Sequence, residues 1–149
     1  MNDHEGIARE ELRALASQER GRLLLQLALR GLQESGRGLT LGCWVKPSGG
    51  VSGCVFQHAY WQGVAEGAFP SDEAAPSEIK EFVSEEDFPL VTGAIRALDV
   101  LGKRRFMRRR GLRRVLDEGA WRDTVERLVV DALAAGAETG RRRPALASS

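Results

Sequence analysis

Apolar positions recur at helical spacing along most of this chain and alternate over one short stretch. From Ile7 to about Gln33 the pattern is helical, with a break near Ser17, a residue suited to cap a second helix from Gln18. Projected at about 100° per residue, Gln18, Glu19, Arg22, Gln26, Arg30 and Gln33 share one narrow strip. Leu24, Leu25, Leu27, Ala28, Leu29 and Leu32 fill most of the rest. A helix apolar over more than half its circumference is buried on two sides, so this is the predicted central helix. Gly36 and Gly38 end it.

Leu39, Leu41, Cys43 and Val45 then alternate with Thr40, Gly42, Trp44 and Lys46, which is a strand signal. Pro47-Ser48-Gly49-Gly50 is turn chemistry, and Val51 to Gln57 reads as a returning strand that leads into a short helix. The rival reading is a helix over residues 53–67, because Phe56, Tyr60 and Val64 fall at i, i+4 and i+8. Residues 69–77 read as a loop, and a short helix is predicted over residues 77–83. Ser84-Glu85-Glu86-Asp87 fits a capping box, and Pro89 is tolerated only in a first turn, so a helix starts between residues 84 and 88. It packs Val91, Ala94, Ile95, Leu98 and Leu101 on the core and ends at Gly102. A last helix over residues 120–135 carries a stripe of Trp121, Val125, Leu128, Val129, Ala132 and Leu133, closed by Gly136. The predicted architecture is mainly α: a compact bundle of about five helices with a short β-hairpin insert at residues 39–57. It forms a single domain over residues 1–136, with residues 1–6 loose and residues 137–149 a disordered basic tail.

Length and composition support one self-sufficient core. A chain of 149 residues, 42% hydrophobic and 29% charged, buries roughly 68–70% of its extended surface without metal or disulfide. No apolar run approaches the ~20 residues of a membrane helix, and the start Met-Asn-Asp-His-Glu-Gly lacks the pattern of a secretory signal. The expectation is a cytoplasmic protein with no membrane partner.

Charge changes this picture. Residues 1–102 carry 9 Lys/Arg against 15 Asp/Glu, and residues 103–149 carry 13 against 6, so the halves stand at −6 and +7. Eight of the twelve residues from Lys103 to Arg114 are basic: Lys103, Arg104, Arg105, Arg108, Arg109, Arg110, Arg113 and Arg114. As a helix the segment would not gather Phe106, Met107, Leu112, Val115 and Leu116 on one face. It is expected to bend near Gly111 and leave its arginines in solvent. Guanidinium forks match phosphate oxygens, which points to a nucleic acid or another polyanion. Arg141–Arg143 could assist. The alternative partner is acidic protein surface, Glu78, Glu81, Glu85, Glu86 and Asp87 of this chain included, within one molecule or across a homo-oligomer.

A second candidate lies at Cys43, Cys54 and His58. Cys54 and His58 are four apart and share a face, and a hairpin turning at Ser48-Gly49 would set Cys43 opposite Cys54. Two thiols and an imidazole suit redox, metal or thiolate chemistry. Equally, both residue types pack as small core groups, and Trp44, Tyr60 and Trp61 read as pocket or core. No phosphate-cradling loop, dinucleotide fingerprint, His-Glu-x-x-His or Gly-x-Ser-x-Gly occurs, so no cofactor and no resident metal are expected. The favoured function is a small regulatory or accessory protein, more a binder than an enzyme. The alternatives are a thiol- or metal-dependent sensor or small enzyme, and a structural adaptor that self-associates through opposite charge.

Overall fold

The structure, a computed structural model, describes residues 3–34, 36–41, 52–70 and 75–142. Six helices occur among them: α1 (His4–Ala16), α2 (Glu19–Glu34), α3 (Val55–Ala65), α4 (Ala75–Val83), α5 (Phe88–Arg105) and α6 (Glu118–Arg142). Strands β1 (Gly38–Leu39) and β2 (Ser52–Gly53) form one pair, and β3 (Met107–Arg110) and β4 (Arg113–Leu116) form another. The mainly α bundle with a short β insert is therefore present.

The central helix is α2, which packs on α1, α3, α4 and α6 and buries Leu24, Leu25, Leu27, Ala28 and Leu32. On the other side of the core, α1 lies against α5 and α6. Leu12, Leu15, Phe56, Tyr60, Ile79, Leu101 and Leu128 are fully buried where these helices meet. Close approach depends on two helical glycines. A Cβ on Gly31 would sit 2.5 Å from the His58 carbonyl oxygen, and one on Gly136 would sit 2.5 Å from that of Ala16.

Four expectations need correction. The Gly38–Leu39 and Ser52–Gly53 strands pair in parallel, so they are not the two arms of a hairpin. Residues 55–65 are helix, as the rival reading had it; Cys43, Trp44 and the Pro47–Gly50 turn lie outside the described residues. The amino-terminal residues are not loose from Asp3 onward, because the Asp3 carboxylate accepts the Gly6 amide at 2.8 Å and caps α1. Finally, Gly102 and Gly136 do not end their helices: α5 runs to Arg105 and α6 to Arg142. Gly102 leaves room for the Leu41 side chain, and Gly136 admits the end of α1. Before α5 the Ser84 hydroxyl accepts the Asp87 amide at 3.2 Å, but this bond closes the preceding turn: the helix starts at Phe88, and its N-cap, Asp87, makes no side-chain capping bond.

Candidate nucleic-acid interface

The basic segment divides into two pieces. Lys103, Arg104 and Arg105 form the last turn of α5, where cations complement the negative helix end. The other five arginines lie on an antiparallel hairpin in which Met107 faces Leu116, Arg108 faces Val115, Arg109 faces Arg114 and Arg110 faces Arg113. The turn is the two-residue loop Gly111-Leu112, and Gly111 has a φ of +65°. A glycine at positive φ in the first central position is the pattern of a II′ turn, whose twist suits a tight hairpin.

The hairpin is anchored at its base and free at its tip. Phe106 and Leu116 pack against the core, and the Phe106 and Trp121 rings meet at 5.4 Å. Asp117 fastens this end in three ways. Its amide donates to the Phe106 carbonyl at 2.7 Å. One carboxylate oxygen accepts the Ala120 amide at the start of α6, and the other pairs with Arg108 at 2.9 Å. Every residue from Arg108 to Arg114 is exposed.

Strand alternation puts Arg109 and Arg114 on one face of the ribbon and Arg110 and Arg113 on the other. Like charges directly opposite each other destabilise a sheet, and this hairpin has two such pairs in succession. Among the described residues, no carboxylate lies within ion-pair distance of these four arginines or of Arg104.

Several arginines elsewhere are treated differently. Arg30 forms a two-pronged pair with Glu66 at 2.8 Å on both prongs. Arg13 meets Asp131 at 2.9 Å. Arg122 donates to the Leu32 and Arg37 carbonyls, tying α6 to the end of α2. Glu5 gathers Arg9, Arg105 and Arg127 at 3.1 to 3.2 Å. The Arg127 hydrogen bond above all, then the charges of Arg127 and Arg105, hold the Glu5 carboxyl below its ordinary value against the opposing effect of burial. Lys103 pairs with Asp99 at 2.9 Å. Of the eight basic residues singled out in the sequence, Lys103, Arg105 and Arg108 are thus neutralised within the fold. The acidic residues of 78–87 do not reach the hairpin: Lys80 and Glu85 pair with each other at 3.8 Å.

Cys54 and His58 do share a turn at the start of α3, with the His58 amide bonded to the Cys54 carbonyl at 3.1 Å. Both side chains are buried. The His58 Nε2 lies 2.8 Å from the Gly38 carbonyl oxygen, and its ring meets Trp61 edge-on at 5.3 Å. Burial pushes the imidazole below its ordinary value. The positive Arg122 and Arg37 act in the same direction, and backbone hydrogen bonds to Gly38 and Gly31 oppose them. The imidazole therefore joins the segment after α2 to α3. Tyr60 stacks on Phe69 at 4.8 Å, and Arg37 lies over Trp61 at 4.1 Å, so both aromatics serve packing. Among the described residues, no three His, Cys, Asp or Glu side chains gather as a metal site would need, and no helix is long and apolar enough to cross a membrane.

No sequence pattern marks Leu112 as the tip of the hairpin or Asp117 as its clamp. The available signal was Gly111-Leu112 between two short basic runs; arginine on both faces erases the alternation that marks a strand. No protein-family model, curated protein or solved structure matches this chain.

Proposed function

We propose that this chain is a small cytoplasmic regulatory or accessory protein that binds nucleic acid by gripping the phosphate backbone with the hairpin of residues 107–116. One observation carries the reading: two directly opposed arginine pairs, Arg109–Arg114 and Arg110–Arg113, stand exposed on an anchored ribbon without carboxylate partners among the described residues. Phosphates neutralise such pairs, and each guanidinium offers a planar fork to two oxygens. Two-stranded ribbons also dock in either groove of a duplex.

The test is fluorescence anisotropy with single- and double-stranded DNA and RNA across a salt series. The logarithm of affinity is expected to fall against the logarithm of salt with a slope of about −4, as for roughly four phosphate contacts. Arg109/Arg110/Arg113/Arg114→Ala should abolish most of the affinity and flatten that slope toward zero, because each lost cation removes about one unit. Absence of binding by the wild-type protein at low salt, where electrostatic attraction is greatest, would refute the proposal.

A second reading is supported by the exposed acidic side chains Glu81, Glu85 and Glu86 at α4 and the start of α5. They offer the hairpin of another copy an opposite charge. Sedimentation showing a dimer that dissociates with salt, in protein that ignores nucleic acid, would favour self-association.

A further inference from the structure

We infer that Leu112 is a wedge, and that the partner of the hairpin is a B-form DNA duplex whose minor groove it enters and whose base stack it opens. The inference rests on the nucleic-acid reading above and adds to it the class of duplex, the groove and the distortion.

Leu112 is 106% exposed, whereas the other large exposed apolar side chains among the described residues, Ile7, Leu23, Val100 and Val130, lie between 38% and 52%. Those four sit on helices and retain partial packing. Leu112 touches no core and does nothing for its turn, since the second position of such a loop is ordinarily filled by a small polar residue. A fully solvated leucine at the most prominent point of a basic ribbon is therefore unexplained by folding. Architectural proteins of the minor groove combine these same two ingredients, cations along the groove and an apolar side chain pushed between base pairs.

The arrangement of charge selects the partner. With Arg109 and Arg114 on one face and Arg110 and Arg113 on the other, the cations flank the ribbon on both sides. A groove presents a phosphate wall to each side, but a bilayer presents its anionic surface to one face or to the tip. The reach fits as well. The two outermost residue pairs and the turn extend roughly 7–10 Å at about 3.4 Å per residue, close to the 7.5 Å depth of a B-form minor groove, whose width of about 6 Å must open to admit the ribbon, as it does where a wedge kinks the duplex. A-form RNA has a wide, shallow minor groove that offers no such slot. Single strands are held mainly by stacking on exposed aromatic side chains, and the exposed part of the hairpin, Arg108 to Arg114, carries none. Opening a base step is easiest at flexible pyrimidine–purine steps such as TA, so sites containing one are the expected targets.

The experiment uses the full chain and a duplex of about 20 base pairs with 2-aminopurine beside a central TA step and a fluorophore pair at its ends. Wild-type protein should raise the 2-aminopurine emission and shorten the end-to-end distance. Leu112→Ser should bind within about tenfold of wild type, because the arginine contacts that supply most of the affinity are intact, yet leave the emission and the distance as in free DNA. Leu112→Phe should restore both signals. The arginine quadruple variant should lose most of its affinity. The same sequence as duplex RNA should bind without the wedge signals.

Wild-type binding that leaves stacking and length unchanged, or Leu112→Ser behaving as wild type, would overturn the wedge while leaving backbone binding in place. Failure of the wild-type protein to bind any duplex, with single strands still bound, would overturn the duplex assignment, and failure to bind any nucleic acid at low salt would overturn the reading beneath it. Leu112-dependent binding to vesicles of anionic phospholipid, in protein that leaves the duplex unopened, would assign the tip to a lipid surface instead. Since Leu112 makes no packing contact, a thermal melt matching wild type is expected for both of its variants.

Discussion

Burial holds the His58 imidazole below its ordinary value, with Arg122 and Arg37 acting in the same direction, and the consequence is a dependence of stability on pH. An unfolded histidine titrates near 6.5. Below that pH the unfolded chain takes up a proton that the folded one refuses, so stability rises with pH across this window. The contribution is full above about pH 7 and is lost as pH falls through the unfolded value toward the depressed folded one, with a slope of at most about 1.4 kcal/mol per pH unit. Urea midpoints from pH 8 to 5 should decline below about 6.5 in the wild-type protein. In His58→Gln they should be lower throughout, because the contact with Gly38 changes, but flat across that range. An equal slope in the variant would mean that another group carries the effect. That Cys54 and His58 share a face was legible, because four-residue spacing sets it. The job of His58 was not, because its partner is a backbone carbonyl twenty positions away and no side chain marks it.

Glycine is the residue whose meaning divides most sharply between elements. Gly36, at a φ of +70°, follows α2 as the helix pattern predicts, and Gly111 turns the hairpin. Gly31 and Gly136 sit inside helices, pressed against the carbonyl oxygens of His58 and Ala16. Replacement by alanine raises intrinsic helix preference by about 1 kcal/mol, but a methyl group forced into a close contact costs typically about 1–3 kcal/mol. At 2.5 Å from backbone oxygen the contact should prevail. Gly31→Ala and Gly136→Ala should each lower the denaturation midpoint, whereas Gly119→Ala, with nothing within 4 Å of its added carbon, should leave it unchanged or slightly raised. Periodicity revealed most of α1, α2, α5 and α6, since their apolar stripes are regular. It could not say whether a glycine ends a helix or admits a neighbour, because that depends on what packs there. Nor could it find β3 and β4, where arginine occupies both faces.

At the scale of the molecule, the acidic and basic halves of the chain meet along one seam and stay apart at another place. Glu5 on α1 reaches Arg105 at the end of α5 and Arg127 on α6, and Asp131 on α6 reaches Arg9 and Arg13 on α1. The Glu5 pairs follow the opposite signs visible in the sequence and the Asp131 pairs run against them, and together they close α1 against the carboxyl-terminal helices, while the hairpin keeps its charge for something outside. The two charge systems should separate experimentally. Glu5→Gln leaves three cations around a neutral amide and should lower stability by about 1 kcal/mol, the upper range for an exposed or half-exposed pair, equivalent to a melting shift of roughly 2–4 °C at this size. Because Glu5 is held below its ordinary value, its contribution is present above about pH 4.5 and disappears as pH falls further, a lower window than that of His58. The melting difference between wild type and Glu5→Gln should also shrink toward zero as salt rises to about 1 M, where screening extends to ~3 Å. DNA affinity measured at one fixed salt concentration should be the same in both proteins. If Glu5→Gln instead altered DNA binding as strongly as the hairpin variants do, the seam and the hairpin would be one electrostatic surface, and the phosphate contacts would have to extend from the ribbon onto α1.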